Sequence, residues 1–186
     1  MKIETLRLEP HEWIPNHPSL PVVIYRSALM PTGVEATAVG FETMFRDQSW
    51  PLQWRNGVYG YQHYHSSAHE VLGFASGSAC LILGGPGGIE TTVNAGDAVL
   101  LPAGTGRCRL QASADLLVVG AYPPGQDSGI CRSAPSQAML IRIASPDFPG
   151  SDPNHRLRRA VASRFICEAV STRCCQRIVA PARRPV

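Results

Sequence analysis

The chain has 186 residues, with 17 basic and 14 acidic side chains for a formal net charge of +3, and 44% of its residues are hydrophobic. That hydrophobic content excludes a wholly disordered protein, and the length suits one domain with a substantial core. The 17 glycines and 16 prolines favour many short elements joined by turns over long helices.

The positive charge is concentrated near one end of the chain. Residues 1–153 contain 9 basic and 13 acidic side chains, whereas residues 154–186 contain eight arginines and one acid, Glu168. The larger part is therefore mildly acidic, and a nucleic-acid partner would depend on the basic tail alone.

Targeting signals are missing from the pattern. The first 15 residues mix acids and proline where a signal peptide needs an apolar run, and no stretch approaches the roughly 18 apolar residues of a membrane span. The six cysteines include no Cys-x-x-Cys pair. We therefore expect a cytoplasmic protein with reduced thiols and no membrane partner.

The first predicted elements belong to an N-terminal arm, residues 1–56. Short strands are expected near residues 5–8 and over residues 21–26. The spacing of Val34, Ala38, Phe41 and Phe45 predicts an amphipathic helix over 34–46, and a loop follows over 48–54.

Residues 57–150 have the pattern of a β-barrel or sandwich, with short runs rich in Val, Leu and aromatics between Gly, Pro and Asn turns. Gly77 and Gly96 fall between predicted strands, where a turn needs positive φ. Gly84–Gly88 is also a predicted turn. Although it is rich in glycine, we do not expect it to bind phosphate, because neither a helix nor a lysine follows it. Strands are predicted over residues 58–64, 69–76, 79–84, 89–94, 98–101, 107–112, 115–122 and 137–144.

Candidate metal ligands cluster at the start of this barrel: His63, His65, His69 and Glu70 lie within eight residues. On one strand, His63 and His65 project to the same side with Cα atoms about 6.6 Å apart. After a corner at the two following serines, Glu70 can return from the next strand. Two imidazoles and a carboxylate suit a divalent metal such as Fe(II), Mn(II), Zn or Ni, although any one histidine alone is better explained by packing.

The spacing of these residues resembles that of the cupin superfamily. Its first motif is matched at every fixed position by Gly57-VYGYQ-His63-Tyr-His65-SSAH-Glu70-VLGFAS-Gly77. Its second motif is matched in spacing by Gly96-DAVLL-Pro102-Ala-Gly104-TG-Arg107-CRL-Gln111. The resemblance, which extends to small single-domain bacterial cupins of unassigned activity, implies an all-β fold: a double-stranded β-helix, or jelly-roll barrel, with a metal site inside.

Arg107 and Gln111 depart from the cupin pattern, which has His and Asn at these two positions. Arginine offers only donors and cannot bind a metal. Three interpretations stay open: Arg107 bends away from a three-ligand metal site or fixes an anionic substrate, Arg107 pairs with Glu70 in place of the ion, or His69 substitutes as a ligand. The last needs a bulge, because His69 has the opposite strand parity to Glu70.

Strand parity also suggests further ligand contacts. Tyr61 shares the parity of His63 and His65, while Arg109 and Gln111 share that of Arg107 and would bind polar ligand groups unless they face solvent. We predict a metal-dependent small-molecule enzyme, oxygenase-like or isomerase-like, which forms a homodimer. The alternative is a non-catalytic cupin that binds or senses an anion or a sugar-like molecule through Arg107.

The tail, residues 151–186, differs in composition from the rest of the chain. A basic helix near residues 157–170 would bind membrane or nucleic acid, whereas an extension without a selected role would bind neither.

We favour the extension without a role, and therefore expect deletion of residues 154–186 to leave folding and ligand binding intact. Circular dichroism and a thermal melt of the truncated chain test this. Lost solubility, or salt-dependent nucleic-acid binding that disappears with the tail, would contradict it.

Overall fold

The computed structural model describes residues 1–145, and the predicted tail lies outside them. The described residues are mainly β, with antiparallel pairing throughout, which confirms the predicted jelly-roll class. The strands are β1 (Lys2–Leu6), β2 (Val22–Arg26), β3 (Leu52–Asn56), β4 (Tyr64–His65), β5 (Glu70–Ser76), β6 (Ser78–Leu83), β7 (Ile89–Asn94), β8 (Ala98–Leu101), β9 (Arg107–Ala112), β10 (Leu117–Ala121) and β11 (Ile130–Cys131). The helices are α1 (Val34–Asp47) and α2 (Gln137–Ala144).

Three antiparallel sheets make up the fold. The largest has the strand order β1-β2-β8-β5-β10-β3, the second β7-β6-β9, and the third pairs β11 with β4. Strands β1, β2 and β3 of the predicted arm thus belong to the same sheet as three barrel strands. Neither helix in the described part of the chain has the length and apolar character to span a bilayer.

The four central strands of the large sheet (β2, β8, β5 and β10) are buried on both faces, which explains their nearly continuous apolar sequences. On β5, Val71 belongs to the cluster that packs under α1, whereas Leu72 and Phe74 belong to the cluster shared with the second sheet. This alternation places Glu70 on the same inner face as Leu72 and Phe74, as strand parity predicts. The outer face is covered by α1, which buries Phe41 and Phe45.

Several boundaries differ from the prediction. Residues 137–144 form helix α2 and not a strand, because the Ser136 hydroxyl accepts a hydrogen bond from the Met139 amide (3.3 Å) and caps the N-terminus. The predicted loop at 48–54 contains the start of β3, and residues 58–63 form no continuous strand before β4. Gly77 (φ 69°) and Gly96 (φ 91°) have the positive φ expected of them.

Gly73 is where α1 makes its closest approach to the sheet. A Cβ atom at this position would lie 2.5 Å from Cγ of the buried Phe41 ring. The Phe41 ring therefore packs directly on the backbone of β5, and the absence of a side chain at residue 73 allows that contact.

Gly73→Ala should lower the free energy of unfolding by about 1–3 kcal/mol, because the added methyl overpacks a filled core. Urea denaturation measures the change. The matched control is Gly129→Ala, whose Cβ would meet no atom closer than 3.9 Å. Equal effects of the two substitutions would contradict the contact between α1 and β5.

Candidate functional site

The candidate site is a cavity of about 270 Å³ bordered by strands β3, β4, β5, β9 and β11 and by loop residues 57–59 and Ser128. Its polar lining includes both histidines of the first motif and three further groups, namely His63, His65, Glu70, Arg107 and Tyr122. Sequence reasoning predicts four of these five side chains. The structure brings all five into one space.

Backbone pairing holds His63 beside Arg107. The His63 amide donates to the Arg107 carbonyl (3.2 Å), and the Arg107 amide donates back to the His63 carbonyl (3.0 Å). His65 follows in β4, which pairs with β11 opposite Ile130. Glu70 is the first residue of β5 and lies opposite Leu101 of β8. The first-motif residues therefore enter the cavity from two separate strands and one isolated bridge.

The tautomers of both cavity histidines are set by backbone carbonyls. Nδ1 of His63 lies 3.0 Å from the Tyr61 oxygen, and Nδ1 of His65 lies 3.0 Å from the Gly129 oxygen. Because a carbonyl only accepts, each Nδ1 carries the hydrogen, and in the neutral ring of His63 the Nε2 atom keeps a lone pair. Nε2 of His65 is 3.4 Å from the Tyr122 hydroxyl and 3.7 Å from Oε1 of Glu70.

Both carboxylate oxygens of Glu70 are engaged. Oε2 forms an ion pair with Nη2 of Arg107, and Oε1 accepts a hydrogen bond from the Tyr122 hydroxyl. The Glu70 and Arg107 side chains are each only 3% exposed, and Nη1 of Arg107 also donates to the Thr105 carbonyl (3.2 Å). This is a buried ion pair inside the cavity, in which Nη2 of Arg107 contacts the carboxylate without an aligned hydrogen bond.

The ion pair sets the charges of its neighbours. Burial acts to raise the pKa of Glu70, but attraction to Arg107, together with contacts to His65 and Tyr122, outweighs burial and holds that pKa well below its ordinary value. Burial and the Arg107 charge lower the pKa of His63 to about 4. Burial and the nearby Glu70 carboxylate raise the pKa of Tyr122 above its ordinary value. His63 and Tyr122 are therefore neutral at neutral pH.

The donor set does not fit a resident metal ion as it is arranged. The two imidazoles are suitable ligands, but the Glu70 carboxylate is bound by a guanidinium on one oxygen and a phenol on the other. Accordingly, no group of three or more His, Cys, Asp and Glu side chains within residues 1–145 is arranged to hold a metal. This geometry corresponds to the interpretation in which Arg107 pairs with Glu70.

The other predicted ligand contacts lie outside the cavity lining. Tyr61 stacks against the cavity residue Tyr59, with ring centroids 4.8 Å apart, while Arg109 and Gln111 continue along β9 away from the cavity. His69 is fully buried elsewhere, where its Nδ1 accepts from the Ala103 amide (3.1 Å).

Sequence reasoning missed Tyr122 and its contact with Trp54. Tyr122 directly follows β10, and its hydroxyl accepts a hydrogen bond from Nε1 of Trp54 (3.1 Å) while it donates to Glu70. Trp54 lies on β3, within the predicted loop, and its indole covers Gly120. One sequence feature could have indicated Tyr122: a tyrosine at the end of an apolar strand has a buried ring, and its hydroxyl then needs a hydrogen-bond partner.

A double-mutant cycle tests the ion pair. Arg107→Met and Glu70→Leu should each lower the free energy of unfolding by about 3–5 kcal/mol, because each leaves a buried charge without its partner. The double variant should recover most of this loss. Urea denaturation of the four proteins measures the coupling, and additive losses in the double variant would show that the two side chains do not depend on each other.

The chain is similar in sequence to a known bacterial protein. It is 36% identical over 142 residues to YjlB of Bacillus subtilis (strain 168), an uncharacterized protein, and the match covers 75% of this chain and 82% of YjlB. No protein-family model matches the sequence.

Among solved structures, the chain is similar to a DUF861 family protein of Thermotoga maritima, with 19% identity, 54% of this chain and 98% of that one covered, and a TM-score of 0.33. It is also similar to YcfD, a ribosomal oxygenase of Escherichia coli in complex with cobalt and succinic acid. The identity is 13%, the match covers 92% of this chain and 51% of that one, and the TM-score is 0.33. On the identity and coverage of the YjlB match, the chain belongs to the YjlB family.

Proposed function

We propose that this chain binds a small, polar, anionic molecule inside the barrel without the help of a metal ion. The observation that carries the proposal is the Arg107–Glu70 ion pair, which supplies a fixed cation within the cavity. A cavity of about 270 Å³ suits a small metabolite rather than a peptide or a nucleotide.

Two groups of the cavity are available to a ligand. The Nδ1 hydrogen of the neutral His63 ring is directed at the Tyr61 carbonyl, so its Nε2 keeps a lone pair that can accept from a ligand hydroxyl. The Arg107 guanidinium has five N–H groups, and its contacts with Thr105 and Glu70 leave others to donate to a ligand oxygen. A molecule with both hydroxyls and an oxyanion matches this pair.

Positive charge near Tyr59 favours an anion. Nη2 of Arg109 would lie 3.8 Å from a Cβ atom at Gly60, next to Tyr59, and the Arg132 guanidinium lies 4.2 Å from the centroid of Tyr61, which stacks on Tyr59. Neither arginine forms an ion pair with a carboxylate of residues 1–145. Together with the hydroxyl-binding His63, these charges favour sugar acids and hydroxy acids over neutral sugars.

A metal-dependent enzyme of the oxygenase or isomerase type is the second candidate. The observation that favours it is the orientation of His63 and His65, since a backbone carbonyl on Nδ1 is the usual support of a histidine that binds metal through Nε2. When bound, a metal would polarise a substrate oxygen. The engagement of Glu70 by Arg107 counts against this candidate.

Thermal melts in the presence of EDTA separate the two candidates. We expect gluconate or galacturonate, but not glucose, to raise the melting temperature, because only the anions satisfy both His63 and the arginines; a ligand at 100 times its Kd stabilises by about 2.7 kcal/mol. His63→Leu should abolish the shift.

The matched control is His11→Leu, which replaces an exposed histidine and should keep the shift. A shift that needs added Fe(II) or Mn(II), or oxygen consumption that needs either metal, would favour the metal-dependent enzyme. Stabilisation by glucose equal to that by gluconate would contradict the anionic ligand.

A further inference from the structure

We infer that Arg107 excludes divalent metal ions from a site that His63, His65 and Glu70 would otherwise form, so that one side chain decides whether the barrel binds metal. This inference concerns the donor set alone and does not depend on the identity of the ligand. Replacing Arg107 alone should therefore uncover the metal site.

The two imidazoles are prepared as metal ligands. Each has its Nδ1 hydrogen directed at a backbone carbonyl at 3.0 Å, which fixes the ring and makes Nε2 the nitrogen that would bind an ion. The ring centroids of His63 and His65 lie 6.0 Å apart, and both side chains line the same cavity.

Arg107 removes the third ligand. Its Nη2 atom forms a buried ion pair with Oε2 of Glu70, so the carboxylate would have to leave its charged partner before it could coordinate an ion. The guanidinium also contributes a positive charge beside the histidines, which repels a dication at a buried site. Competition for Glu70 and repulsion of the ion therefore act in the same direction.

Arg107 is held in the blocking position. Its backbone pairs in both directions with that of His63, its Nη1 donates to the Thr105 carbonyl, and its side chain is 3% exposed. A guanidinium that left Glu70 would leave two buried charges unpaired. The block is therefore a permanent feature of the folded chain rather than a gate.

Metal content of three full-length proteins tests the inference. The unmodified chain, Arg107→Met and Arg107→His are incubated with Co(II), separated from free ion by gel filtration and analysed for cobalt and for visible absorption. The unmodified chain should retain less than about 0.1 ion per chain, whereas Arg107→His should retain about one, since it frees Glu70 and adds an imidazole. Arg107→Met frees Glu70 without adding a ligand and should bind cobalt more weakly.

The matched controls remove one ligand each. His63→Leu/Arg107→His and Arg107→Met/Glu70→Leu should lose the cobalt and its absorption, and melting with and without cobalt shows whether each variant is folded. Stoichiometric cobalt in the unmodified chain would overturn the exclusion by Arg107 even if no variant folds. A folded Arg107→His protein without cobalt would overturn the latent site.

These outcomes are distinct from those of the ligand experiment. Gluconate binding is measured in EDTA and does not involve the Arg107 variants. The chain can therefore fail to bind gluconate and still exclude cobalt, and each result is assigned to its own proposal.

Discussion

The ion pair between Arg107 and Glu70 is the interaction on which the interior of the barrel depends. At an effective dielectric constant of 20, two unit charges 4 Å apart attract by roughly 4 kcal/mol, against about 1 kcal/mol in water, and burial raises the cost of leaving either one unpaired. The charge of Arg107 accounts for the low pKa of Glu70 and adds to the effect of burial, which lowers the pKa of His63, while Glu70 accepts the hydrogen of the Tyr122 hydroxyl. One carboxylate and one guanidinium thus organise the other polar groups of the cavity.

Much of the strand pattern could be predicted because turn residues mark the ends of strands in both larger sheets. Strands β7, β8 and β9 begin and end at the predicted residues, since each is an apolar or alternating run next to a turn with Gly or Pro. Helix α2 could not be distinguished from a strand, because eight largely apolar residues lack a decisive period and the cap at Ser136 settles the conformation. Strand β3 was missed because Pro51 at its start suggested a loop, although Pro is tolerated at the first position of an edge strand.

The site residues could be predicted from strand parity where a strand is continuous, but not where the chain leaves regular strand pairing. Glu70 faces inward with Leu72, as an unbroken β5 requires. The parity argument for Tyr61 assumed a continuous strand over 58–64, but only an isolated bridge at His63 precedes β4, and Tyr61 lies against Tyr59 instead of in the cavity. Tyr122 and Trp54 meet across two strands that are distant in sequence, a contact for which one sequence carries no local signal.

An arginine and a metal ion give the same barrel different chemistry, even though each places positive charge next to two histidines. An ion exchanges with solvent, accepts lone pairs and can take a substrate oxygen into its coordination shell. A guanidinium is covalently part of the chain, stays protonated and only donates, in directions fixed by its plane. With Arg107 in this position, the role that we propose for His63 changes from metal ligand to hydrogen-bond acceptor for a ligand. The same imidazole orientation that would serve a metal would then serve a hydroxyl group, so a motif of metal ligands is compatible with a site built around an ion pair.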